Sequence, residues 1–245
     1  MRQINRAVLP EKIQTYLEER QSLADQKQKE GTLDINGEWK SARQTGPLKS
    51  VLTTLQKMMG PRERCMYCVD SHGADIDHFR PKTHYPEYAF QWPNLLLCCS
   101  ECGRFKGSQF PLHQGEPLLI DPCIEDPWQH IDFDPDTGNL TARFDIQANN
   151  WSEKGSKTVE VLKLDKREAM AAGYLADFKR LSDIVHTALL ASDSIDARAL
   201  FDELNQADDH GLLGWCFSRT GQTIEPFSGL SQKHPEAWAF CQESL

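Results

Sequence analysis

Two cysteine pairs carry the strongest chemical signal in this chain of 245 residues. Cys65 and Cys68 form the first C-x-x-C pair, and Cys99 and Cys102 form the second. Each pair can present two thiolates to one ion, and four thiolates at about 2.3 Å complete a tetrahedral zinc site with no open position. We therefore expect a structural zinc ion. Cys98 is an alternative ligand, but Cys99 and Cys102 repeat the spacing of the first pair.

Other uses of cysteine fit the sequence less well. A secreted disulfide scaffold spreads its cysteines along a shorter chain, and a redox C-x-x-C occurs singly beside a βαβ pattern. Buried free cysteines would not require two matched pairs. The first residues, MRQINRAVLPEK, lack the apolar segment of a signal peptide, and no apolar stretch is long enough to cross a membrane. These features predict a protein of the reducing cytoplasm.

A carboxylate and an imidazole lie between the two cysteine pairs. Asp77 and His78 are adjacent near the end of a predicted short strand, so a turn or bulge is needed to bring both side chains to one site. A carboxylate suits Mg²⁺ or Mn²⁺, and a neutral histidine can take a proton from a water that attacks phosphorus. Asn94 precedes the apolar run Leu95–Leu97, which predicts a second strand.

Basic side chains flank this motif on both sides. Arg80 and Lys82 follow His78, and Arg104 and Lys106 follow the second cysteine pair on a predicted helix. Cations at such positions can meet phosphates, so these four residues are the candidates for nucleic-acid binding.

The order of these motifs resembles the HNH endonuclease family, which has a ββα-metal fold, and its zinc-knuckle branch in particular. The stretches DIDHFRPK (75–82) and WPNLLL (92–97) look most like the Septu-type HNH effectors. Those proteins act in bacterial anti-phage defence beside an ATPase, PtuA, and some occur with retrons. The HNH resemblance is strong over residues 61–112, and the Septu resemblance extends weakly over much of the chain.

The resemblance implies a role for each matching residue. His78 matches the general base, Asp77 the carboxylate that holds a catalytic Mg²⁺ or Mn²⁺, and Asn94 the asparagine that braces the loop between the strands. The matching zinc ligands are Cys65, Cys68, Cys99 and Cys102. The implied reaction is metal-dependent hydrolysis of phosphodiester bonds in DNA or RNA. The implied partners are a PtuA-like ATPase subunit and, in retron-associated systems, a reverse transcriptase with its RNA and DNA.

The chain departs from the family pattern at one position. Gly103 stands where the family usually has an Asn or His as a second metal ligand. Asp75, which a strand would place on the same face as Asp77, is the favoured helper, and His84 or a substrate phosphate oxygen are the alternatives. A different class of function also remains open, a catalytically weak or inactive zinc-stabilised module that binds nucleic acid or an ATPase.

The pattern along the chain predicts an α+β fold in three parts. These are a helical region over residues 1–60, the zinc-knuckle HNH module over 61–112, and a short hairpin followed by mostly helical structure over 113–245. Apolar spacing and capping residues predict helices over Pro10–Lys29, from Pro47 to Gly60, from Asp165 onward, between Ser194 and Asp208, and over Pro235–Glu243. The segments Ile131–Phe133 and Leu140–Phe144 predict a hairpin.

The net charge of −9 argues against a simple basic coat protein for nucleic acid. The acidity lies outside the cysteine-rich region, because residues 61–110 hold six basic and six acidic side chains. It is concentrated in residues 116–136 and 182–215, which form either a solvated surface or a docking face for a basic partner subunit.

Overall fold

The computed structural model describes residues 1–191, 194–218 and 220–245. The described residues form helices and small antiparallel sheets, which confirms the α+β class. They separate into two compact units, residues 3–125 and residues 126–245 together with 1–2. Within the described ranges, no helix is both long and apolar enough to cross a membrane.

The first unit begins with three helices and continues with the cysteine-rich region. Its elements are α1 (Glu11–Lys29), α2 (Ile35–Arg43), α3 (Gly46–Met58), β1 (Asp75–His78), β2 (Leu95–Cys98), α4 (Ser100–Lys106), β3 (Leu112–His113) and β4 (Glu116–Pro117), with short 3-10 turns at Pro86–Tyr88 and Trp92–Asn94.

Two of these helices, α1 and α3, agree with the sequence prediction, whereas no helix was predicted over the residues of α2. Asp34 caps α2 by accepting a hydrogen bond from the backbone N–H of Gly37. Only Ile35, Trp39 and Ala42 are buried on this helix. This helix is shorter than α3 and most of its residues are polar, so its sequence resembles that of a loop.

Strands β1 and β2 pair antiparallel, with Asp77 opposite Leu96 and His78 opposite Leu95. Every residue of β2 is buried, and the strand runs directly into α4. The loop from residue 79 to residue 94 closes this hairpin. Two strands followed by a helix are present, as the sequence predicted. Asp77 and His78 are the last two residues of β1 in an unbroken register, so the predicted turn or bulge at this pair is absent.

The second unit joins two small hairpins to a helical bundle. Its elements are β5 (Ile131–Phe133), β6 (Leu140–Ala142), β7 (Phe144–Asp145), β8 (Asn150–Trp151), α5 (Glu153–Leu162), α6 (Glu168–Ala191), α7 (Ala197–Ala207), α8 (Leu213–Cys216), α9 (Phe227–Lys233) and α10 (Pro235–Glu243), with 3-10 turns at Pro127–Gln129 and Gly221–Thr223.

The predicted hairpin and the predicted last helix are confirmed in this unit. Strand β6 ends at Ala142 rather than Phe144, because Phe144 pairs with Trp151 in a second hairpin. Helix α6 begins at Glu168 rather than Asp165, and α5 was not predicted. Asp193, one of the acids in the block 182–215, lies outside the described residues.

Candidate active site and zinc cluster

The four predicted zinc ligands come together in the first unit. The Sγ atoms of Cys65, Cys68, Cys99 and Cys102 all lie within 4.8 Å of one another, and all four residues are buried. The Cys68 and Cys99 sulfurs are 3.9 Å apart. Tetrahedral zinc–sulfur bonds of about 2.3 Å place the sulfurs about 3.8 Å apart, so the cluster can hold a metal such as zinc.

Local backbone geometry shapes both cysteine turns. Val69 has a positive φ of 48°, and its N–H donates to the carbonyl of Cys65, which closes the first turn. Cys99 is the N-cap of α4, and its Sγ accepts a hydrogen bond from the N–H of Cys102. Burial raises the pKa of the Cys65 thiol well above its ordinary value, so its ionisation calls for a nearby cation.

His78 is held at the end of β1 by two contacts. Its Nε2 lies 2.9 Å from the carbonyl oxygen of Ala89, and its ring meets the ring of Trp39 at a centroid distance of 4.2 Å. A carbonyl can only accept, so Nε2 carries the hydrogen and Nδ1 is left as the basic nitrogen. Burial, followed by the charge of Lys82, lowers the pKa of His78 to about 3, so the imidazole is neutral.

Asn94 ties together the loop between the two strands. Its Oδ1 accepts from the N–H of Arg80 at 2.7 Å, and its Nδ2 donates to the carbonyls of Arg80 and Tyr88 at 3.1 and 3.0 Å. Asn94 is itself buried. These three bonds connect the start of β2 to the residues that follow His78.

Asp77 has two polar partners on one oxygen. The Tyr67 hydroxyl donates to Oδ2 at 2.7 Å, and the Lys106 ammonium lies 3.0 Å from the same atom. Lys106 also donates to the carbonyl of His78 at 2.7 Å. Sequence reasoning placed Lys106 on a surface that meets nucleic acid, but its side chain is fully buried, because it turns inward from the end of α4 to this carboxylate.

The candidates for a second metal ligand differ in their surroundings. Asp75 is exposed and forms an ion pair with Arg43 of α2. His84 is exposed and Gly103 has no side chain. Within the described residues, the four cysteines are the one group of three or more His, Cys, Asp or Glu close enough to share an ion.

The other predicted phosphate-binding residues differ in exposure. The guanidinium of Arg80 lies among three aromatic rings, 5.1 Å from the centroid of Tyr88 and further from Tyr85 and Phe110. Lys82 is half-buried, and its burial lowers its pKa. Arg104 is exposed on α4. Arg80, Lys82 and Arg104 therefore keep solvent access beside the hairpin.

Three residues that sequence reasoning missed complete the surroundings of the Asp-His motif. Trp39 contacts His78, Arg43 pairs with Asp75, and Tyr67 bonds to Asp77. The first two belong to α2, and Asp34 as a helix cap was the available signal for that helix. Tyr67 lies between Cys65 and Cys68, where an aromatic residue would be expected only to pack in the core.

Comparison with known proteins finds relatives that are named as Septu proteins. No family model matches the chain. The chain is 34% identical to Septu protein PtuB of Bacillus mycoides (strain KBAB4), over 49% of this chain and 48% of that protein. It is 30% identical to Septu protein PtuB of Bacillus thuringiensis, over 44% of this chain and 38% of that protein.

A second Septu protein also matches. The chain is 28% identical to Septu protein PtuA of Bacillus mycoides (strain KBAB4), over 42% of this chain but only 18% of that protein. The chain thus spans at most about half the length of these relatives. The comparisons confirm the predicted resemblance to PtuB.

Proposed function

We propose that this PtuB-like chain is an HNH-type endonuclease effector of a Septu-type anti-phage defence system. Residues 61–112 form its nuclease module, a ββα-metal core built from β1, β2 and α4. The module hydrolyses phosphodiester bonds of DNA or RNA. The resemblance to two Septu proteins supports the system, and the surroundings of His78 support the chemistry.

The observation that carries the proposal is the state of His78. Its Nε2–H is committed to the carbonyl of Ala89, and the ring is buried and neutral. Nδ1 has no hydrogen-bond partner among the described residues. A fixed neutral imidazole with a free nitrogen can take a proton from an attacking water, and its low pKa makes it a weaker base than an ordinary histidine. Replacing His78 with glutamine tests this role.

Asp77 is the residue that would hold the catalytic Mg²⁺ or Mn²⁺. Its Oδ2 is engaged by Tyr67 and Lys106, whereas Oδ1 has no partner among the described residues. One carboxylate fits Mg²⁺, which proteins often bind through one or two carboxylates plus substrate phosphates. When bound, the ion stabilises the negative charge that develops on the phosphate and on the leaving oxygen. Asp75 is the helper carboxylate.

The remaining residues position the substrate and the site. Asn94 braces the loop, and the cysteine cluster holds a structural Zn²⁺ that fixes the start of α4. Arg80, Lys82 and Arg104 bind phosphates of the nucleic acid.

The pKa of His78 predicts how cleavage depends on pH. Because this pKa lies near 3, the base stays deprotonated from pH 8 down to pH 5, whereas a histidine of ordinary pKa would become protonated near pH 6.5. We expect kcat/KM, which reports the free enzyme, to show no acidic limb between pH 5 and pH 8. The test is kcat/KM at fixed ionic strength and saturating Mg²⁺. An inflection near pH 6.5 that disappears in His78→Gln would contradict it.

We propose a PtuA-like ATPase as partner, with a retron reverse transcriptase and its RNA and DNA as further components in retron-type systems. The acidic segments 116–136 and 182–215 would dock to a basic face of the ATPase. The isolated chain should then cleave weakly and the ATPase complex strongly. The measurement compares cleavage by equal amounts of chain with and without the ATPase. Equal rates would count against regulation by this partner.

The alternative function is a zinc-stabilised binding module without catalysis. Two observations favour it, the missing side chain at Gly103 and the ion pair that already neutralises Asp77. Such a module would bind nucleic acid or the ATPase equally well with and without the His78 side chain. Cleavage assays of the His78 variant separate the two functions.

A further inference from the structure

The carboxylate of Asp77 already has a cation beside it. The Lys106 ammonium is 3.0 Å from Oδ2 and 2.7 Å from the carbonyl oxygen of His78, and the side chain has no exposure to solvent. Burying an ammonium away from water is unfavourable unless the charge is paired and hydrogen-bonded. Asp77 and the His78 carbonyl meet both needs.

Position 103, one helical turn before Lys106, has room for a side chain that the sequence does not provide. A Cβ placed on Gly103 would meet only the Sγ of Cys98, at 3.4 Å. The glycine is therefore not required by a crowded backbone. On the same helix the chain has no side chain at 103 and carries a buried cation at 106.

Resting on the proposed nuclease function, we propose that Lys106 is the resident counter-ion of Asp77 and that the substrate completes the metal site. In the free protein a divalent cation binds Asp77 weakly. A phosphate oxygen of the bound nucleic acid then serves as the second ligand that position 103 does not supply. Lys106 is thus a positioning residue, since it acts on the site through Asp77.

The charges around Asp77 support this proposal. The ammonium occupies one carboxylate oxygen and repels a second cation, so only Oδ1 is left for a metal. Lys82 also contributes positive charge to Asp77. A phosphate group brings negative charge and a hard oxygen together, which offsets the repulsion and suits Mg²⁺ or Mn²⁺. The site would therefore hold its metal only when nucleic acid is bound.

The test measures Mn²⁺ binding to the zinc-loaded full chain by electron paramagnetic resonance, without any cleavage assay. We expect weak binding to the unaltered protein and binding about tenfold tighter in Lys106→Met, because the competing ammonium is gone. Mn²⁺ should also raise the melting temperature of Lys106→Met more than that of the unaltered chain. Lys106→Arg, which keeps the charge, should bind Mn²⁺ as weakly as the unaltered protein.

Two further variants make the result specific. Gly103→Asn should tighten Mn²⁺ binding by adding a second ligand beside Asp77. Because this variant keeps Lys106, it still tests the proposal if Lys106→Met fails to fold. The matched control is Lys157→Met, which removes an exposed lysine paired with Glu160 and should leave Mn²⁺ binding unchanged. The proposal is overturned if folded Lys106→Met and Gly103→Asn both bind Mn²⁺ no tighter than the unaltered chain.

The role of the substrate is measured in the non-cleaving His78→Gln background. Single-stranded DNA or single-stranded RNA, added separately, should tighten Mn²⁺ binding about tenfold for at least one of the two. If neither nucleic acid changes the Mn²⁺ affinity, the proposal that the substrate completes the metal site is wrong. These results are separate from cleavage, so a failure of the nuclease function would appear in the His78 assay and not here.

Discussion

Replacing His78 with glutamine should lower the rate of nucleic-acid cleavage by about 10²- to 10⁴-fold, the range typical of a lost general base. The glutamine Nε2 can still donate to the carbonyl of Ala89, so the variant keeps this hydrogen bond while it loses the basic nitrogen and the ring contact with Trp39. Its folding should therefore be close to that of the unaltered chain. The measurement is the cleavage rate of the ATPase complex on cellular DNA and RNA, with circular dichroism to compare the folds.

The matched control is His186→Gln, because His186 is exposed on α6 in the other unit. It should leave the cleavage rate within about twofold of the original, as surface substitutions usually do. If folded His78→Gln cleaves as fast as the unaltered complex, the nuclease proposal fails and the binding module is the better description. Phage protection measured in cells with the same two variants should follow the cleavage rates.

Short-range patterns predicted the frame of the site. The paired cysteines indicated a four-sulfur cluster, because two residues between cysteines fix a tight turn wherever the pair lies. The alternation through Asp77 indicated a strand with one buried face, and the apolar run after Asn94 indicated a strand buried on both faces. These features depend on neighbours in the sequence, and the structure contains all of them.

Long-range contacts could not be predicted in the same way. Lys106 reads as a surface cation at a helix end, and its burial follows from an ion pair with Asp77 that is 29 residues away in the sequence. Trp39 contacts His78 because tertiary packing places α2, a short and mostly polar helix, beside the end of β1. The sequence around Lys106 or around Trp39 does not indicate which distant residue it contacts.

Replacing Cys99 with alanine should remove the bound zinc and destabilise the first unit by several kcal/mol, because a structural zinc site contributes directly to folding. Cys99 supplies one of the four clustered sulfurs and also caps α4 through the N–H of Cys102. Its loss should therefore free the start of α4, which carries Lys106 towards Asp77. The measurements are zinc content by elemental analysis, the melting temperature, and the cleavage rate.

The control is the neighbouring Cys98→Ala. Cys98 is equally buried, but its sulfur is not among the four that cluster. The substitution removes the same atom one residue away, so this variant should keep one zinc per chain and lose about 1 kcal/mol or less through packing. Retention of zinc by Cys99→Ala together with its loss in Cys98→Ala would assign the ligand to Cys98. Retention by both would mean either that Cys98 and Cys99 replace each other as the fourth ligand or that three sulfurs suffice. The double variant Cys98→Ala/Cys99→Ala separates these outcomes, because it keeps its zinc only if three sulfurs suffice.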